Sequence, residues 1–148
     1  MSQALIDAIR ILRIELGIAN ERVAAAAGLL PRDLDILNVI DRDSPCTPSY
    51  LATRTGLKAA TLTGILTRLE AKGWIERRTD PNDGRSVQLT STDRFNELRD
   101  LYRSGDETVR ALALRFDQAE RQTITTFLTQ VSDAVRTASA ALPTKGDA

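Results

Sequence analysis

Apolar positions first recur every three to four residues along the chain. Leu5, Ile6, Ile9, Leu12 and Leu16 form such a series, which predicts an amphipathic helix running on through Val23–Ala27 and stopping at Gly28. Ile11, Ile14 and Ile18 widen its apolar surface beyond one stripe, as in a helix with partners on more than one side. Pro31 opens a second helix carrying Leu34, Leu37, Val39 and Ile40, with Asp33 and Asp35 near its positive end. The polar stretch Asp41–Thr47 reads as a loop. Thr47 and Pro48 then read as an N-cap and first-turn proline of a short helix through Arg54. Gly56 supplies the left-handed residue that ends it. A longer helix follows over 59–72, with Leu62, Ile65, Leu66 and Leu69 inward and Gly73 as its stop.

The period then falls to two. Ile75, Arg77 and Thr79 alternate with Glu76 and Arg78. Beyond the cluster Asp80-Pro81-Asn82-Asp83-Gly84, Val87 and Leu89 alternate with Ser86, Gln88 and Thr90. This is the pattern of a β-hairpin. From Ser91 a helical pattern returns through Phe95, Leu98, Leu101, Tyr102, Val109, Leu112, Ala113 and Phe116, with Gly105 placed to bend or break it. A last helix carries Ile124, Phe127, Leu128, Val131, Ala134 and Val135. The fold class is therefore mainly α with a small β-hairpin wing: a winged helix-turn-helix flanked by helical arms. The expected divisions are an N-terminal helical arm (1–30), the winged helix-turn-helix lobe (31–90), C-terminal helical arms (91–142) and a disordered tail (143–148).

Composition narrows the chemistry. The chain of 148 residues has one cysteine and no histidine, so it lacks an intramolecular disulfide, a conventional zinc set and the usual general base of hydrolysis. Paired acids such as Asp41 and Asp43 lie in a loop without a nucleophile motif or phosphate loop. We therefore expect no enzyme activity, no metal and no cofactor. No apolar run approaches the ~18 residues of a membrane span, and the N-terminus has no signal-peptide layout, so a cytoplasmic location is expected. Net charge is zero, yet residues 49–90 hold seven basic groups against four acids, while both flanks are slightly acidic. A basic middle on a neutral scaffold suits a phosphate-facing module.

The segment from Thr47 to Thr90 resembles the MarR family of bacterial transcriptional regulators. The resemblance rests on the run Leu57–Arg78 with its Leu-Glu-x-x-Gly end (Leu69, Glu70, Gly73), a wing with Asp-x-Arg (Asp83, Arg85) and the closing pair Leu89-Thr90. It covers about a quarter of the chain in residue detail, and the helical arms match in layout only. It implies a homodimer that binds double-stranded DNA at a pseudo-palindromic operator; repression is expected over activation because a dimer straddling a promoter blocks polymerase without further contacts. Ala60, Thr61, Thr63 and Gly64 would read the major groove, with Thr67 and Arg68 further along. Family members often carry a long polar side chain where this chain has Gly64, so base readout is expected to be thin, with shape and apolar contacts contributing more.

On physical grounds too, short outward side chains let a helix approach base edges, although the same face in isolation would read as merely solvated. Arg85 beyond the hairpin tip suits a narrow minor groove, held by Asp83 as a bidentate pair. Thr47, Ser49, Lys58, Arg77 and Arg78 are expected at phosphates, unless one of the last two pairs with Glu76 or Asp80. The dimer interface is expected to set Leu5, Ile9, Leu12 and Leu16 against Phe116, Ile124, Phe127, Leu128, Val131 and Val135. A small aromatic or phenolic effector between arms and lobe is a family property; Arg10, Arg13, Tyr50 and Trp74 are candidate lining groups, without distinctive chemistry. Trp74 reads as a core anchor. Cys46 lies outside the N-terminal region where redox-sensing members keep their cysteine, so it reads as inert. The rival reading is a winged-helix module for protein–protein contact, favoured by the zero net charge and the thin recognition face.

Overall fold

A computed structural model describes residues 2–143. The order is α1 (Ser2–Ala27), α2 (Pro31–Asp43), α3 (Pro48–Thr55), α4 (Ala59–Ala71), β1 (Ile75–Asp80), β2 (Asp83–Ser91), α5 (Phe95–Ala113) and α6 (Gln118–Ala140). The expected tail lies, apart from Pro143, outside the described residues.

Local chemistry sets most boundaries. Pro31 begins α2, where its missing N–H removes one unsatisfied donor. Thr47 caps α3, its hydroxyl oxygen accepting from the Tyr50 N–H at 3.1 Å. Gly56 closes α3 at φ +69°, a conformation that other residues adopt only with strain. Asp117 and Glu120 form a reciprocal capping box at the start of α6.

Two expectations about the arms are corrected. Gly105 does not break α5, which runs through it to Ala113; one glycine costs a long helix only about 1 kcal/mol. Phe116 lies on the connection between α5 and α6 and not on α5 itself, because the capping box at Asp117 starts a new helix there.

The buried core belongs to the lobe. Leu34, Leu37 and Ile40 of α2 meet Leu62, Ile65, Leu66 and Leu69 of α4, with Leu51, Trp74, Leu89 and Leu98 completing the cluster. The α4 side chains recur at i, i+3, i+4 and i+7, so burying them turns the opposite face of that helix outward. Trp74 is fully buried, as its role of core anchor requires, with the Arg94 guanidinium 4.2 Å from its ring centre.

The hairpin pairs antiparallel from Ile75↔Ser91 to Thr79↔Val87, with an irregularity at Thr79/Asp80. Ser91 thus ends β2 and does not start the helix. Cys46 supplies a further correction. Far from standing in a polar loop, it is 6% exposed and its backbone pairs with Leu89, N–H to carbonyl at 3.1 and 2.7 Å in the two directions. A single residue of the α2–α3 connection so pairs the outward backbone groups of Leu89 on the outer edge of β2.

These environments can be probed directly. Burial, and secondarily the negative charge of Asp43, push the Cys46 thiol up, so it stays protonated near neutral pH. It is expected to react with a disulfide reagent at about pH 7.5 at least about tenfold more slowly in native protein than in urea; equal rates would contradict the burial. Gly64, inside α4, has only Arg68 Nη1 near a would-be Cβ, at 3.6 Å. Gly64→Ala therefore fits, and is expected to stabilise the fold by roughly 0.5–1 kcal/mol in urea unfolding.

Candidate nucleic-acid interface

α3 and α4 form the two helices of a helix-turn-helix, with the turn at Gly56, and the hairpin stands beside them as a wing. On α4 the outward positions Ala60, Thr61, Thr63 and Thr67 are exposed, and Gly64 is half-buried. The hydroxyls of Thr63 and Thr67 donate back to the carbonyls of Ala59 and Thr63, each at 2.8 Å. Their protons are committed to the helix, which leaves oxygen lone pairs and methyl groups facing outward. That face can accept a hydrogen bond and can touch a thymine methyl.

The wing meets the start of α3. Thr47, Ser49, Asp83 and Arg85 line one cleft of about 390 Å³ together with Pro48 and Ser86. Four residues expected at DNA from two separate segments are thus brought together. The wing tip is shaped by its aspartates: the Asn82 N–H donates to Asp80 Oδ1 at 2.8 Å, and the Arg85 N–H to Asp83 Oδ1 at 3.0 Å. This corrects the expected pairing. Asp83 holds the backbone of Arg85 and makes no bidentate pair with its side chain, because an acid two residues before an N–H closes a tight local turn. The exposed Arg85 guanidinium has no partner among the described residues, and neither has the exposed Lys58 ammonium.

The remaining cations are engaged, with unequal consequence. Arg78 pairs with Glu76 at 3.2 Å, as weighed from the sequence, and Arg77 with Glu70 at 3.1 Å. Both pairs are substantially exposed, so each contributes little, ~0–1 kcal/mol, and either arginine can exchange its carboxylate for a phosphate. Arg68 differs. Its Nε and Nη2 donate to Asp33 Oδ2 and Oδ1, both at 2.9 Å, and Asp33 is 1% exposed. Leaving a buried carboxylate without its hydrogen-bond partner is unfavourable, which opposes the base contact expected of Arg68. Nothing local in the sequence signals this pair, which joins residues 35 apart.

Of the groups suggested for an effector cleft, Arg10 lies on exposed α1 beside Asp7, Arg13 is exposed and Trp74 is fully buried. Tyr50 does line a cleft, of about 520 Å³ between α3 and the end of α6, together with Arg54, Arg136 and Leu142. The Arg54 Nε there is buried without a partner among the described residues. The Tyr50 hydroxyl donates to Asp43 Oδ2 at 2.5 Å, which holds its proton above the ordinary tyrosine range. A larger cavity, about 710 Å³, lies between α1, α2 and α5 and is lined by Leu16, Val23, Asp35, Tyr102 and Asp106 among others. Burial raises the Asp35 carboxyl there.

Comparison with known proteins agrees with this architecture. The MarR family model matches residues 27–86, from the end of α1 to just past the wing arginine. The chain is 30% identical over 115 residues to the HTH-type transcriptional regulator YcgE of Bacillus subtilis (strain 168), covering 77% of this chain and 75% of that protein. The transcriptional regulator Tm0710 of Thermotoga maritima superposes with a TM-score of 0.66 at 22% identity, over 95% of this chain and 99% of that one. A point mutant of S. aureus MepR, bound to an oligodeoxyribonucleotide, superposes with a TM-score of 0.59 at 18% identity, over 91% and 98% of the two chains. A helix-turn-helix and the tip of the wing inside the matched segment, and a relative aligned over most of both chains, lead to one conclusion: this chain belongs to the MarR family of winged-helix transcriptional regulators.

Proposed function

We propose that this regulator is a cytoplasmic homodimer that binds a pseudo-palindromic DNA operator and represses transcription. The observation that carries the reading is the cleft where Arg85, Asp83, Thr47 and Ser49 meet beside the exposed face of α4. The Ser49 N–H is the first free donor of α3, since Pro48 has none, and a helix start of this kind favours a phosphate. With Lys58, Arg77 and Arg78 around it, the backbone contacts would set the register. Arg85 would enter the minor groove, and Ala60, Thr61, Thr63, Gly64 and Thr67 would lie along base edges. Because Thr63 and Thr67 offer lone pairs and methyls, this face suits adenine or cytosine amino groups and thymine methyls.

The arms supply the argument for two copies. α6 has no buried residue among those described. Leu5, Leu12 and Leu16 of α1, Phe116, and Ile124, Leu128 and Val135 of α6 are exposed, while Ile9, Phe127 and Val131 are only half-covered. Burying each such side chain is worth roughly 1.5–3 kcal/mol, and a second copy of the same arms presents a matching surface. A two-fold axis would then set the recognition helices about one DNA turn apart, ~34 Å, or a multiple of it. The DNA-bound MepR mutant of the same fold supports the reading. A dimer straddling a promoter blocks polymerase without further contacts, which favours repression.

Release by a small ligand is part of the proposal. A phenolic anion suits the cleft of Tyr50, Arg54 and Arg136 better than the cavity with Asp35 and Asp106, whose carboxylates would repel it. Such a ligand would act by favouring a lobe spacing that does not fit DNA.

The test is fluorescence anisotropy with the intergenic duplex upstream of the chain's own gene and a scrambled duplex, at two salt concentrations. Preferential, salt-sensitive binding is expected, with Arg85→Ala losing about 1–3 kcal/mol on the preferred duplex. Binding without preference, unchanged in Arg85→Ala, would overturn the wing assignment and favour a protein–protein module. In sedimentation equilibrium the wild type is expected to be dimeric at micromolar concentration. Leu128→Glu is expected to shift it towards monomer and to weaken operator binding with it. A monomeric wild type would count against the scheme.

A further inference from the structure

We infer that Asp33 and Arg68 form a positioning pair that fixes the tilt of α4, so that Arg68 serves DNA recognition through its partner and not by touching the duplex. The inference rests on the proposal that α4 faces DNA.

Asp33 stands in the first turn of α2 and is 1% exposed. Both its oxygens accept from one guanidinium, at 2.9 Å each. Two parallel bonds to a planar fork fix orientation as well as distance, which a lysine at the same place cannot do. The third nitrogen, Nη1, lies 3.6 Å from where a Gly64 Cβ would stand, one turn back on α4, an ordinary contact that a methyl group would keep. One turn further on, the Lys72 ammonium donates to the carbonyl of Gly28 at 2.8 Å. The C-terminal half of α4 is thus tied at two points to the corner between α1 and α2. Its N-terminal half, where Ala60, Thr61 and Thr63 face outward, is held by the apolar contacts of Leu62 and Ile65.

The geometry is that of a rod pinned near one end. Thr61 lies seven residues from Arg68, about 10 Å along the axis at 1.5 Å per residue. A tilt of about 5° at the pin therefore moves Thr61 by about 1 Å. A hydrogen bond has a useful range of only about 0.5 Å in distance, so such a shift removes a base contact while leaving non-directional attraction to phosphates almost unchanged. The pair would thus govern specificity more than affinity. Because Gly28 and Asp33 flank the α1–α2 corner, the pinned end also follows the dimer arm.

The test is a double-mutant cycle with Asp33→Asn, Arg68→Gln and the double variant, read as anisotropy on the upstream intergenic and scrambled duplexes over a range of salt. Each single variant is expected to lose at least about tenfold in preference for the intergenic duplex. The double variant is expected to lose no more than the worse single, and all three should keep the wild-type salt slope, because no phosphate contact is removed. Thermal unfolding is followed in parallel. Where a variant unfolds, Arg68→Lys serves instead: it keeps the charge but not the fork, and an intermediate loss of preference at unchanged slope is expected.

A salt slope shallower by about one contact in Arg68→Gln, with Asp33→Asn binding as tightly as wild type or tighter, would show that Arg68 touches DNA and overturn the inference. Wild-type preference retained in folded Arg68→Gln or Arg68→Lys would overturn it as well. Both outcomes leave the DNA-binding proposal standing. Absence of preference in the wild type itself would overturn that proposal, and this inference with it.

Discussion

The lobe depends on one act of burial: the apolar face of α4 closing on α2. Leu62, Ile65, Leu66 and Leu69 are each no more than 2% exposed, and their packing against Leu34, Leu37 and Ile40 decides which side of α4 is left to water. Everything proposed for the outward residues follows from that choice, since a helix has one rotation about its axis to give. The wing depends on it too. The Trp74 N–H donates to the Leu69 carbonyl at 2.9 Å, and the Trp74 carbonyl accepts from the Thr92 N–H at 3.0 Å. The helix end, the start of β1 and the end of β2 are therefore joined through one backbone residue.

Electrostatics divides the cations by what holds them. Arg85 and Lys58 stand without a carboxylate among the described residues, Arg77 and Arg78 are lightly held, and Arg68 is committed to a buried acid. The zero net charge of the chain is thus compatible with a locally available positive surface. A polyanion competes for the exposed pairs at little cost, whereas the bidentate pair with the buried Asp33 resists it. The excess of basic groups in the middle of the chain overstates what phosphate can recruit, because Arg68, though itself exposed, is held by the buried Asp33.

What could be read from the sequence was what is local. Helix starts at Pro31 and Pro48, the cap at Thr47, the turn at Gly56 and the hairpin tip each depend on residues within four positions of one another, and all stand where the pattern put them. The inward face of α4 and the burial of Trp74 were legible for the same reason. The misses are of two kinds. Cys46 with Leu89 and Arg68 with Asp33 join distant segments, and Arg77 with Glu70 reaches across the turn from α4 to β1; no periodicity encodes a pairing that only tertiary packing creates. Asp83 was misread at short range, because an acid next to an arginine suggests a side-chain pair, while in a tight turn the nearer N–H is the better donor. Gly105 was given too much weight, since α5 is long enough to carry it.

Trp74 has a consequence of its own. It is the chain's sole tryptophan, wholly enclosed, with a guanidinium from the residue just before α5 lying over its ring. Arg94 also donates to the Lys72 carbonyl at the end of α4, so the stacked cation bridges the reading lobe and the rising arm. The indole is therefore an intrinsic optical gauge of that junction: a change in the angle between arm and lobe moves a positive charge across the one chromophore that dominates the protein's emission.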